Sequence, residues 1–373
     1  MRVAVLGAGG TIAPAIVRDL AESDEVEELL LLDIDLGRAQ AVAERHAGGR
    51  ARALRADARA EPEAEGSLVR ALDGVGVLVN SASYRVNLDA MAACLRAGCH
   101  YLDLGGLYWM TELQLELDRQ FERDGLLALL GMGSAPGKTN LMARMAAREL
   151  GDEIASIQVA AAGRDLDPPD GFSVPYALQT LLDEITMQPV VLRGGSPEHI
   201  DPLSEGGLVD FGDPIGGAET IYTLHSELRT FGASFGCREA SFRLGLSPEL
   251  LSVLRELTTA SDEDVHRKAV EALPPSANTV SVHVVDAATN GRAVRVRAVT
   301  EPMAEWGLGG GIVSTATPAA AAVRMLARGA ITERGVLPPE GCVAPDVLFA
   351  ELEPRGCRVE IEAAAAVPGD MAS

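Results

Sequence analysis

The chain has 373 residues and a formal net charge of −22, with 47% hydrophobic residues. That length suits two domains of ordinary size, and a phosphate backbone would be repelled by so acidic a surface, which excludes non-specific nucleic-acid binding. No apolar run approaches the ~20 residues needed to span a bilayer. The opening residues, MRVAVLGAGG, enter a strand directly, so neither a targeting segment nor a membrane anchor is expected. Cys94, Cys99, Cys237, Cys342 and Cys357 form no CxxC pair and no metal-ligand spacing, which reads as reduced thiols in a cytoplasmic protein without a metal site. Lysine is confined to Lys138 and Lys268, so any lysine chemistry falls on one of those two.

From residue 1 to about 135, short apolar strands alternate with helical stretches. The predicted strands are Arg2–Leu6, Leu29–Leu32, Arg52–Ala56, Val75–Val79, Tyr101–Leu104 and Leu126–Leu130, with amphipathic stretches such as Pro14–Glu22 and Leu88–Ala97 between them. Strands apolar on both faces and separated by helices specify a parallel sheet covered on both sides, hence a doubly wound fold. Beyond Gly137 the strands alternate as in an antiparallel sheet with one wet face. Candidates are Ile154–Ala161, Pro189–Arg193, Glu219–His225, Glu239–Leu244, and Thr279–Val285 paired with Arg292–Val299 through Asn290-Gly291, a hairpin-turn signal. The Gly/Pro/Asp-rich stretch 194–217 reads as a long loop. A helix is predicted from Pro318 to about Arg328, and the Gly307–Gly311 run before it reads as a hinge.

The first predicted strand ends in Gly7-Ala8-Gly9-Gly10-Thr11-Ile12. Gly7 permits a tight turn, Gly9 lets backbone approach a pyrophosphate, and the next helix points its N–H groups at that phosphate. Ile12 stands where the third glycine of the fingerprint would be. The second strand ends at Asp33, where a carboxylate takes both ribose hydroxyls, favouring NAD while leaving NADP possible. Asp57 follows the third strand and borders the adenine or caps an exposed turn.

The pieces GAGG at 7–10, Asn80 to Asn87, HYLDLGG at 100–106, SAPGKTN at 134–140, LHSELRT at 224–230, SFRLG at 241–245 and the run 316–340 occur in an order and spacing that resemble the saccharopine dehydrogenase-like family. Within it they are most similar to the lysine 6-dehydrogenase group. The resemblance implies an α/β fold: a Rossmann domain (1–137, completed by 318–373) with an inserted α/β substrate and dimerisation domain (138–317) built on a mixed or antiparallel sheet. It also implies NAD(P)-dependent oxidation at a carbon–nitrogen bond of a small amino-acid substrate, and a homodimer.

In an open α/β sheet, ligands bind beyond the carboxyl ends of the strands. Asn80, Ala82 and Tyr84, Asp103 and the 131–137 turn fall there. Amine oxidation needs one or two groups that handle protons, and Asp103 and Tyr84 are the candidates. Asp103 alternatively caps the turn before Gly105-Gly106, and Tyr84 alternatively packs against the cofactor. Lys138 is expected at the surface or on a substrate carboxylate. The substrate's carboxylate calls for arginine. Through the resemblance that role falls to Arg243, with Thr230 and His225 on matching positions. Glu227 and Arg229 depart from the lysine 6-dehydrogenase pattern and point to a substrate with further charged groups. That keeps a saccharopine- or opine-type enzyme acting on a secondary amine as the main alternative, with a non-catalytic dinucleotide sensor behind it.

Overall fold

The computed structural model describes residues 1–151 and 154–364. They fall into two units, Met1–Lys138 with Ser314–Ala344, and Thr139–Val313 with the chain from Pro345 onward.

In the first unit, runs such as Val3-Ala4-Val5-Leu6 and Leu29–Leu32 are buried throughout, as strands covered on both faces must be. They form β1 (Arg2–Leu6), β2 (Glu28–Asp33), β3 (Ala51–Arg55), β4 (Val77–Asn80), β5 (His100–Asp103), β6 (Leu127–Leu129) and, much later in the chain, β15 (Gly335–Leu337). All pair in parallel, in the order β15-β6-β5-β4-β1-β2-β3. The connecting helices are α1 (Ala13–Ala21), α2 (Leu36–His46), α3 (Leu68–Ala71), α4 (Asn87–Ala97), α5 (Tyr108–Leu115) and α6 (Asp118–Arg123). This is the doubly wound arrangement, in which the strand order reverses between β1 and β4, so the chain leaves the carboxyl ends of these two paired strands in opposite directions.

The second unit carries a nine-stranded mixed sheet. Its strands are β7 (Ser156–Asp165), β8 (Val190–Arg193), β9 (Ser196–His199), β10 (Glu205–Asp210), β11 (Gly217–Tyr222), β12 (Glu239–Gly245), β13 (Thr279–Ala288), β14 (Ala293–Thr300) and β16 (Cys357–Ala364). Only β12 with β7 is parallel; the other pairs are antiparallel. The expected hairpin forms, with β13 and β14 closing on a turn in which Thr289 N–H donates to Arg292 O at 2.8 Å. Helices α7 (Lys138–Leu150), α8 (Leu178–Thr186) and α9 (Leu228–Phe235) precede or separate the strands.

Three expectations are revised. The stretch 194–217 is two hairpins, not a long loop: Gly194 and Gly195, both at positive φ, turn β8 into β9, and a bulge between Glu205 and Gly207 shapes the β10–β11 pair. Exposed edge strands rich in Gly and Pro lose the apolar alternation that a reading of period two depends on. The late helix, Gly310–Ala327, begins well before Pro318, because a side chain on Gly310 would strike the carbonyls of Thr300 and Thr279 at 2.3 and 2.6 Å. These glycines let a helix lie on the sheet. Finally, the tail expected with the first domain divides. β15 belongs to the first sheet, but β16 pairs with β14 over eight residues and belongs to the second.

Candidate active site

The loop after β1 is built for a close approach. Gly7 has φ +74°, and a Cβ there would lie 2.6 Å from Ala82 N. A Cβ on Gly9 would lie 3.2 Å from the Asp33 carboxylate, which accepts the Gly9 N–H at 2.8 Å through one oxygen and the Asp35 N–H at 2.9 Å through the other. Gly10 N–H closes the turn on Gly7 O at 3.0 Å. Thr11 and Gly10 are exposed and Ile12 half-buried, and Ile12 begins α1 with no side-chain cap, so the helix end keeps its attraction for an anion. Ser81 lies against the same loop, its carbonyl 3.9 Å from a Gly10 Cβ position. Its buried hydroxyl lacks a partner among the described residues. Open backbone, a half-buried carboxylate and a hydroxyl wanting a partner fit a dinucleotide. Asp57 instead ties its own turn through Arg59 N–H at 2.9 Å.

Beneath this loop runs a buried polar network. Asn80 accepts Ala82 N–H at 3.1 Å and donates to Asn87 at 2.9 Å and Tyr101 at 3.1 Å. It therefore acts by holding Ala82 against Gly7. Asp103 is buried and accepts five donors: Gly131 N–H at 2.6 Å and Gly105 N–H at 3.0 Å on one oxygen, with Gln114 at 2.7 Å, Tyr101 at 2.9 Å and Asn87 at 3.2 Å on the other. A carboxylate offers about four lone-pair sites, so this one is saturated. Burial pushes its carboxyl above the usual range, while the Gln114, Gly131, Tyr101 and Gly105 hydrogen bonds pull it back part of the way. Tyr84 is buried, its ring edge-on to Trp109 at 5.9 Å, with the Arg85 guanidinium 4.8 Å from its centroid. Lys138, expected at the surface or on a substrate carboxylate, is fully buried and donates to Ser314 at 2.6 Å.

In the second unit, His225 and Glu227 lie on the segment that leaves β11, which ends at Tyr222 rather than at His225. The His225 ring stacks on Phe242 at 3.4 Å, and its Nδ1 is 2.9 Å from Glu227 Oε2. Glu227 Oε1 accepts the Thr139 hydroxyl at 3.1 Å, and its carbonyl accepts the Thr230 hydroxyl at 3.2 Å. Glu184, which sequence reasoning missed, is buried on α8 and accepts the Tyr176 hydroxyl. The signal was available: Glu184 follows buried Leu181 by three residues, on the inward face of an amphipathic helix. Burial works to lower the His225 imidazole, but the Glu227 charge and hydrogen bond, with Glu184 behind, hold it above its ordinary value. Burial raises Glu184, opposed by His225 and Tyr176 and reinforced by Glu227 and Asp183. Arg229 stands half-buried in the first turn of α9.

Arg243 is not brought to this cluster. Successive strand residues point to opposite faces, so with Phe242 beneath His225, Arg243 lies on the other side of the sheet. There it donates to Gly206 O at 3.1 Å and packs its stem where a Gly206 side chain would be. Among the described residues, no His/Cys/Asp/Glu group could hold a metal ion and no helix is long and apolar enough to cross a membrane.

Residues 3–129 match the family model of the saccharopine dehydrogenase NADP binding domain. That stretch is similar to the dinucleotide-binding domain of the saccharopine dehydrogenase family. Around that domain, the whole fold is similar to saccharopine dehydrogenase (L-Glu forming) from Saccharomyces cerevisiae, with TM-score 0.72 and 15% identity over 98% of this chain and 100% of that one. In sequence the chain is similar to a carboxyaminopropylagmatine dehydrogenase of Synechocystis, 24% identical over 69% of this chain and 65% of the relative. It is also similar to a carboxynorspermidine synthase of Vibrio alginolyticus, 23% identical over 50% and 48%. The matched region thus spans between about half and two thirds of these relatives' length.

Proposed function

We propose that the protein is an NAD(P)-dependent oxidoreductase acting on the carbon–nitrogen bond of a small amine that carries a carboxyl group and further charge. The observation that carries this reading is the Gly7–Gly10 cradle held by the Asp33 carboxylate, in a stretch similar to the dinucleotide-binding domain of the saccharopine dehydrogenase family. When bound, the nicotinamide supplies hydride transfer. The chain's own residues do the rest. Gly9, Gly10 and the α1 N-terminus receive the pyrophosphate, Asp33 the adenosine ribose, and Ser81 a remaining polar group of the dinucleotide. Asp103 holds the ends of β5 and β6 in register, so we assign it positioning rather than proton transfer. Tyr84 lines the cofactor side at the end of β4.

A secondary amine or imine stands first for the substrate. The buried carboxylates Glu184 and Glu227 beside His225 suit a cationic amine, and two relatives are named for carboxyalkyl derivatives of agmatine and norspermidine. Lysine, oxidised at its 6-amino group to the semialdehyde, is the second candidate and meets the same requirement. Arg229, with Thr230 behind it, is our choice for the substrate carboxylate now that Arg243 faces elsewhere. A homodimer through the second unit's sheet and a cytoplasmic setting, in keeping with five free thiols, complete the reading. Light scattering that gave a single-chain mass at micromolar concentration would remove the dimer.

The test is absorbance at 340 nm with NAD or NADP against lysine, ornithine, saccharopine and carboxyalkyl polyamines, together with the reverse reaction from aldehyde and amine. Turnover of one amine class supports the reading. Tight dinucleotide binding without turnover of any amine or imine would overturn it.

A further inference from the structure

Resting on that reading of the reaction, we propose that His225, oriented by Glu227, takes the proton from the substrate nitrogen during oxidation and returns it during reduction. The ring is fixed on two sides, and its carboxylate partner is itself anchored. Phe242 lies flat beneath it at 3.4 Å, Glu227 holds Nδ1 at 2.9 Å, and Thr139 anchors the far oxygen of Glu227 at 3.1 Å. A carboxylate on Nδ1 fixes the tautomer, placing the proton on Nδ1 and the basic lone pair on Nε2. Nε2 has no hydrogen-bond partner among the described residues, although the imidazole is nearly buried. Its side chain retains 9% exposure. A buried histidine with a purely structural task usually has both nitrogens paired; this one is aimed and half free.

The surroundings set the charge. Its own segment supplies Glu227 and then Arg229 at the start of α9, α8 supplies Glu184 with Asp183 beside it, and the Tyr176 phenol caps Glu184. β12 brings the neutral Phe242 and α7 the neutral Thr139. Two carboxylates around one imidazole favour the imidazolium, so the group keeps its proton to higher pH than a free histidine and becomes a base above that raised value. In the oxidative direction one N–H bond of the substrate ammonium breaks, its electron pair stays on nitrogen, and an N–H bond forms at Nε2. Nothing is oxidised in that step, and reduction runs it backward. General acid–base assistance of this kind contributes roughly 10²–10⁴-fold.

The test compares wild type, His225→Gln and Glu227→Gln by the pH profile of kcat/KM, by dinucleotide fluorescence titration and by NMR titration of the imidazoles. The expected wild-type oxidation rate falls on the acid side with a midpoint above 6.5. His225→Gln should lose roughly 10²–10⁴-fold in kcat and lose that limb, with dinucleotide affinity unchanged. Glu227→Gln should move the kinetic midpoint and the His225 NMR midpoint together to lower pH; should His225→Gln fail to fold, this variant decides alone. An acid limb retained in His225→Gln, or a kinetic midpoint that stays put while the NMR midpoint moves, overturns the inference and leaves the function standing. If wild type turns over no amine or imine, the function fails and the inference falls with it.

Discussion

Both units bury carboxylates, and they satisfy them in opposite ways. Asp103 in the first unit receives two backbone N–H groups, two side-chain amides and a phenol. The four amide donors do not titrate, and the phenol is pushed well above its ordinary value by burial and by Asp103 itself. Glu227 and Glu184 in the second unit are matched instead by an imidazole, an alcohol and another phenol. Donors are plentiful around Asp103 and scarce around the glutamates, and the second site, unlike the first, sets an imidazole beside its carboxylates. A buried acid is architecture or chemistry according to whether its partners can change protonation.

The largest effect should come from breaking the saturated site. Asp103→Asn replaces one accepting oxygen by an amide NH₂ facing groups that now donate to it, leaving buried donors without acceptors at ~1–3 kcal/mol each. We expect a loss of about 3 kcal/mol or more in urea unfolding, with activity falling because the strand ends move. A loss below about 1 kcal/mol, with kcat nonetheless abolished, would return Asp103 to a catalytic role and erase the contrast.

That contrast was only partly legible in the sequence. The β1–glycine loop–α1 unit and Asp33 were readable because the signal is local: apolar strand, tight turn and helix follow one another within some twenty residues. Asp103 was readable as a strand-end acid, but its donors Gln114 and Gly131 lie 11 and 28 residues away, and no spacing announces them. Arg243 failed for a different reason. Alternation along Ser241-Phe242-Arg243 shows that neighbours face opposite ways, but which face meets His225 depends on β7, β11 and the helices laid over the sheet. The hairpins in 194–217 were hidden because exposed edge strands need no apolar stripe.

Asp33 lies between the two extremes, fixed by backbone N–H groups yet half-open to a ligand. Asp33→Ala should weaken NAD binding by roughly 10–100-fold, the range for hydrogen bonds to a charged group. NADP, whose 2′-phosphate the carboxylate repels, should change by less than about threefold. Equal losses in fluorescence titrations with the two dinucleotides would show that the carboxylate serves the loop alone.

The second site should show itself in stability as well as in rate. The His225 imidazolium is favoured by two carboxylates in the folded chain, so its folded value lies above the 6.5 of a free side chain. Its contribution is therefore fully present below pH 6.5 and is lost as the pH rises through the raised value. The difference in unfolding free energy between wild type and His225→Asn should shrink between pH 6 and pH 9. A difference flat across that window would mean that the imidazole does not titrate, and that the second site is as fixed as the first.

The smallest effect is expected at Arg243, and it separates the two faces of the second sheet. Its guanidinium donates to Gly206 O at 3.1 Å, and its stem fills the space above that glycine. Arg243→Ala therefore removes one hydrogen bond and some packing, about 1 kcal/mol of stability, from the β10–β11 hairpin. The Arg243 side chain lies on the face of the sheet opposite His225, so KM for the amine should stay within about threefold of wild type, whereas Arg229→Ala should raise it at least tenfold. A large rise in KM for Arg243→Ala, without the reverse change at Arg229, would mean that the substrate carboxylate is held on the face opposite His225. The proton-handling cluster and the carboxylate anchor would then be on different sides of one sheet, an arrangement no small amine can bridge.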